Sequence, residues 1–159
     1  EKSPPNVARA DILYENFPNV KFIIMVRNPY AVVEGIKRQN RRSNNVIAAT
    51  HMMECFKLQM YNIGRYDNDS VFFTYEDMCE RPTVIADHLI QFCPEFTGIN
   101  FFNKVNVKRN YIQMGVENLN DQQIARLTQQ DLDEINAVFD KYPDQMNYFG
   151  YSKITESIL

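Results

Sequence analysis

The hydrophobic pattern is read most easily around Phe22-Ile23-Ile24-Met25-Val26, a continuous apolar run after Lys21. Phe17-Pro18-Asn19 precedes it and Arg27-Asn28-Pro29 interrupts it. A run that is apolar on both faces predicts a central strand of a parallel sheet covered by helices. Before it, Pro4-Pro5 opens a helix predicted to reach about Asn16, with Val7, Ala10, Leu13 and Phe17 as its buried stripe. After it, Asn28 as cap and Pro29 as first helical residue predict a helix through about Gln39. A polar loop over 41–45 leads to a helix over Val46–Ile63, with Ile47, Met52, Phe56, Met60 and Ile63 toward the core. Asp67-Asn68-Asp69-Ser70 is a turn cluster, and Val71–Tyr75 reads as a second buried strand. Pro82 opens a helix through about Phe92. Residues 96–118 show no period and read as a long packed loop. Asn120 and Thr128 then look like N-caps of two short helices, the second with Asp131 at N3 and Leu132, Ile135 and Phe139 on its apolar face.

Strand, helix, strand, helix is the order of an α/β domain with a parallel sheet flanked by helices. The length of 159 residues suits one domain spanning 1–159. Two parallel strands make a poor independent sheet, so further N-terminal strands are expected outside this chain. No apolar run approaches the ~20 residues of a membrane span. The three cysteines, Cys55, Cys79 and Cys93, match no zinc spacing and no disulfide framework, and read as single thiols. With seven methionines they fit a reducing, cytoplasmic setting.

Charge changes the picture by its distribution. The net charge of −3 argues against nucleic acid as a partner. Residues 1–66, however, carry ten Lys/Arg against five Asp/Glu, whereas residues 67–159 carry seven against fifteen. A small anionic ligand therefore belongs with the first part. Arg27 stands where the apolar strand ends and a helix begins. Ligands of open parallel sheets bind beyond the carboxyl ends of strands. A guanidinium there offers a planar fork matched to phosphate oxygens, beside a helix N-terminus that also favours anions. A salt-bridged arginine at a strand end is the alternative. Lys37, Arg38, Arg41 and Arg42 read first as a solvated cationic helix end, and contact with an anionic ligand is the second reading.

The segment Lys21–Gly35, KFIIMVRNPYAVVEG, resembles the part of sulfotransferases that binds the 3′-phosphate of PAPS, the sulfate donor, whose product is PAP. Glu1-Lys2-Ser3-Pro4 is similar to the EKSP/EKTP motif that precedes this strand in carbohydrate-type members. Phe73–Met78 with Pro82 resembles a later YEDM…P segment, and Leu127–Tyr151 resembles the closing helix and terminal GY. The likeness thus spans residues 1 to about 151. It implies a P-loop-kinase-like sulfotransferase fold, of which this chain is the C-terminal portion. It also implies transfer of sulfate from PAPS to a hydroxyl or amine of a small-molecule or carbohydrate acceptor. Arg27 takes the position of the 3′-phosphate ligand and Tyr75 that of the residue beside adenine. Lys2 takes that of the lysine that stabilises charge on the leaving oxygen. The family's serine eight residues after the arginine is here Gly35, whose backbone N–H or a water is left to replace the hydroxyl. Lys108 and Arg109 are candidates for the family's basic loop on the 3′-phosphate. His51 is a candidate general base, although each of His51 and His88 reads as well as a surface or core histidine. The family's phosphate loop, which cradles the 5′-phosphosulfate, has no glycine-rich counterpart here. A non-catalytic nucleotide-binding or interaction domain of the same fold, or a P-loop nucleotide kinase relative, are the competing readings.

Overall fold

The computed structural model describes residues 4–40, 42–107 and 112–157. Two parallel strands form its centre, β1 (Phe22–Val26) and β2 (Ser70–Thr74), in a register that pairs Phe22 with Ser70 and Val26 with Thr74. They are joined through two consecutive helices, α2 (Pro29–Gln39) and the 21-residue α3 (Asn45–Arg65). Ahead of β1 lies α1 (Ala10–Asn16), preceded by a 3-10 turn over Pro4–Ala8. After β2 come α4 (Tyr75–Glu80) and α5 (Pro82–Phe92). A short antiparallel pair follows, β3 (Val105–Val107) with β4 (Ile112–Met114). Then α6 (Asn120–Ile124), α7 (Gln129–Phe139) and α8 (Pro143–Tyr148) complete the order. This is a mixed α/β fold with a two-stranded parallel sheet flanked by helices, in keeping with a sulfotransferase architecture.

The core lies on one side of the sheet. Val26, Tyr30, Val33, Met53, Phe56 and the α7 side chains Leu132, Ile135 and Phe139 are buried together. Each large apolar side chain so buried contributes about 1.5–3 kcal/mol. Tyr30 shows how polar groups enter this core. Its ring meets Phe139 edge-on at 5.0 Å, its hydroxyl donates to Asn136 Oδ1, and it accepts from the Ile154 amide at 3.1 Å. A smaller cluster of Phe73, Ile85 and Leu89 sits under α5 on the opposite face. That helix covers β2 only. Over β1 the same face is open, and Ile23 and Met25 are 45% and 43% exposed. The expected two-sided cover is thus fuller on one face, where Phe72 is still 38% exposed, than on the other.

Local signals account for most boundaries. The Asn28 side chain accepts from the Tyr30 amide at 3.0 Å, and Pro29 occupies the first turn of α2. Thr128 and Asp131 form a reciprocal capping box on α7, and Thr74 with Asp77 forms another on α4. Four expectations are corrected. The Pro4–Asn16 helix is broken after Ala8, and Phe17 is exposed because the chain leaves the core there. Ile47 points to solvent in the first turn of α3. Tyr75 opens a helix rather than closing the strand, because the Thr74 capping box ends β2 one residue earlier. Asn120 is no side-chain cap; it lies inside α6 with its side chain drawn into a different network.

Candidate functional site

The carboxyl end of β1 delivers Arg27 between α2, α4 and α6. Its guanidinium carbon lies 4.2 Å from the centre of the Tyr75 ring, a cation–π contact. Its Nε donates to Asn120 Oδ1 at 2.8 Å, and its Nη2 donates to Gln123 Oε1. Two neutral amides and an aromatic face therefore hold this cation. No carboxylate among the described residues forms a salt bridge with it. Its Nη1 group has no acceptor among the described residues. Arginine donates five N–H groups and cannot lose its charge, so the arrangement leaves an oriented cation with no direct carboxylate partner among the described residues, able to take an anion.

Asn120 is the pivot of this arrangement. While its Oδ1 faces Arg27, its Nδ2 donates to Glu76 Oε1 at 2.5 Å. One amide thus sits between a cation and a carboxylate, and each polarises it in the same sense. Glu76 Oε1 also accepts from the Asn28 backbone N–H at 2.8 Å, and Oε2 accepts from the Tyr151 hydroxyl at 2.9 Å. Three donors fix this carboxylate as a structural hub joining α2, α4, α6 and the C-terminal segment. Gly150 makes the last connection possible: its φ of 74° turns the chain so that Tyr151 reaches inward. Burial and the neighbouring Glu76 charge raise the Tyr151 pKa well above the usual tyrosine value.

Tyr75 uses both ends. Its ring supports Arg27, while its hydroxyl donates to the Glu117 carbonyl and accepts from the Leu119 amide at 3.3 Å. These contacts position the segment entering α6. Burial raises the hydroxyl's pKa, so the group is a hydrogen-bonding phenol at neutral pH.

Gly35 lies in the interior of α2, facing α6, where a Cβ would come within 3.4 Å of Gln123 Nε2. Its backbone N–H belongs to the helical ladder and is not available to an anion. Asp77 takes a structural role in the α4 capping box and in an ion pair with Arg81, which holds its carboxyl below the usual range despite partial burial. Lys37 bonds Asp131 at 2.5 Å and Arg38 bonds Glu34 at 2.9 Å, so both are engaged within the fold. His51 is exposed on α3, its Nε2 3.7 Å from Cys55 Sγ, with no hydrogen bond to the Arg27 cluster. His88 is exposed on α5. Lys2, Arg41, Lys108 and Arg109 lie outside the described residues.

Residues 1–96 match the model of the sulfotransferase family. The chain belongs to the sulfotransferase family. No curated protein and no solved structure matches it. The matched range of this sulfotransferase contains Arg27, Tyr75 and Glu76, at the strand ends and first helical turns beyond the sheet, and Gly35 in the interior of α2. The partners that orient Arg27, namely Asn120 and Gln123, lie beyond it, as does Tyr151. Local sequence held no signal for their role. Asn120 read as a helix cap, and nothing in the sequence singled out Gln123. Each lies more than ninety positions from Arg27 in the chain.

Membership of the family carries sulfotransfer as the general activity of this domain and small-molecule acceptors as its general substrates. Among the described residues, no helix is long and apolar enough to cross a membrane.

Proposed function

We propose that this sulfotransferase takes its sulfuryl group from PAPS, with Arg27 as the ligand of the donor's 3′-phosphate. The observation that carries this reading is the guanidinium held by two neutral amides and the Tyr75 ring, with Nη1 left for an anion. A carboxylate partner would have cancelled the charge; amides orient it without doing so. The position also fits, beyond the carboxyl end of a parallel strand and next to the first turn of α2.

In the proposed reaction the bond between sulfur and the 5′-phosphate oxygen of the nucleotide breaks as a bond from the acceptor oxygen or nitrogen forms in line. The acceptor gives up its proton, and the nucleotide leaves as PAP. Negative charge grows on the bridging oxygen, and Lys2 is the group assigned to stabilise it, needing no metal to do so. The acceptor is a hydroxyl or amine of a small molecule or carbohydrate. Because no glycine-rich loop occurs in this chain, we assign it the 3′-phosphate half of the donor site.

Calorimetric titration with PAP tests the reading. Arg27→Ala is expected to weaken PAP binding by about 10- to 100-fold, the worth of a hydrogen bond to a charged group. Unchanged PAP affinity in that variant, or tighter binding of ATP than of PAP by the native chain, overturns the assignment.

A further inference from the structure

We infer that Gln123 is a second ligand of the anion held at Arg27, supplying a neutral N–H donor from α6 across the face of α2 at Gly35. The inference rests on the proposed 3′-phosphate site and adds to it a residue outside the matched part of the chain.

The argument begins with the orientation of the amide. Arginine has no acceptor, so the Gln123 atom facing Arg27 Nη2 must be the oxygen, and the nitrogen must point away from it. That nitrogen is directed over Gly35, where a Cβ would stand 3.4 Å from it. No acceptor for Nε2 occurs among the described residues. An N–H donor with no partner among the described residues, one amide group away from a cation with no carboxylate partner among them, is suited to an oxygen-rich anion. Phosphate carries several acceptor oxygens, so one can bridge Nη1 of Arg27 while another accepts from Gln123 Nε2. The amide of Asn120 shows the contrast. Its nitrogen is already used by Glu76 at 2.5 Å and has no such role. Gly35 matters because a larger side chain there would press on the Gln123 amide. A hydroxyl there could take over as donor.

The site would recognise a phosphate monoester in particular. A sulfate monoester or a carboxylate offers less charge to Arg27, and a nucleotide lacking the 3′-phosphate has nothing to place between the two groups. The predicted effect is therefore on the difference between PAP and AMP, which lacks that phosphate.

The test is calorimetric titration of the full chain with PAP and with AMP. Gln123→Ala is expected to weaken PAP about tenfold and leave AMP unchanged, so the preference for PAP shrinks. Adding Gly35→Ser to Gln123→Ala should restore most of the lost PAP affinity by returning a donor, whereas adding Gly35→Ala should not. That pair of double variants separates a ligand from a residue that only steadies Arg27, and circular dichroism confirms that each variant is folded. If Arg27→Ala abolishes the PAP preference but Gln123→Ala leaves it intact, Gln123 is no ligand while the proposed function stands. Equal recovery with serine and alanine at position 35 also overturns the inference. If the native chain shows no preference for PAP over AMP, both readings fall together.

Discussion

At the scale of single residues, the strongest electrostatic commitments lie around the site rather than in it. Asp131 accepts from Lys37, Asn45 and the Thr128 cap. Burial alone would push its pKa up, but these bonds outweigh burial and hold it well below the usual carboxylate range. A depressed native pKa stabilises the fold above the unfolded value of about 3.9, and the benefit is lost as pH falls below it. Asp131→Asn is accordingly expected to cost about 1–2 kcal/mol at pH 7 in urea unfolding, a loss similar to that of a helix cap. The gap to the native chain should narrow progressively below about pH 4. Tyr151 behaves in the opposite sense. Its raised pKa gives stability that is intact below about pH 10, the unfolded value, and is lost as pH rises above it. Tyr151→Phe should lower stability at pH 7 by about 1 kcal/mol and make unfolding less sensitive to alkali, read by denaturation at pH 7 and pH 11.

At the scale of elements, α7 and α6 have separate jobs. The first is a core helix. Leu132, Ile135 and Phe139 pack against α3 and the Tyr30 ring. Phe139→Ala should destabilise by about 3–5 kcal/mol, measured by chemical denaturation, because the cavity is enclosed on all sides. In contrast, α6 is a five-residue helix anchored by Ile124 and aimed by its polar face at Arg27. The Tyr75 hydroxyl holds the segment that enters it. Tyr75→Phe is expected to keep the ring on Arg27 yet release the segment before α6. The resulting loss in PAP affinity should be about two- to fivefold in titration, smaller than that of Arg27→Ala.

At the scale of the molecule, the sheet is covered more fully on one face than on the other. Ile23 and Met25, both on the open face of β1, are each more than a third exposed. Apolar surface of this kind beside a strand edge promotes association. Ile23→Thr should reduce concentration-dependent light scattering while shifting the unfolding free energy by only about 0.5 kcal/mol. On the free side of β1, Gln59 Nε2 donates to the Met25 carbonyl at 3.2 Å, so a helix side chain satisfies one of the edge's acceptors.

What the sequence determined by itself was what short-range chemistry controls. The run Phe22–Val26 had to be a strand, the Asn28-Pro29 pair had to start α2, and the Thr128–Asp131 spacing had to cap α7. Each depends on bonds or periodicity within a few residues. Arg27 was legible as a candidate anion site for the same reason, because it sits at a strand-to-helix turn. The break after Ala8 and the exposed position of Ile47 were not legible, because packing overrode pattern there. Nor was the company Arg27 keeps. Only the tertiary structure decided that Asn120 and Gln123, from the far end of the chain, would hold the guanidinium with neutral oxygens. It also decided that Glu76 would be occupied by Asn28, Asn120 and Tyr151. Side-chain contacts over such separations follow from how helices dock on the sheet, and no local spacing encodes that docking.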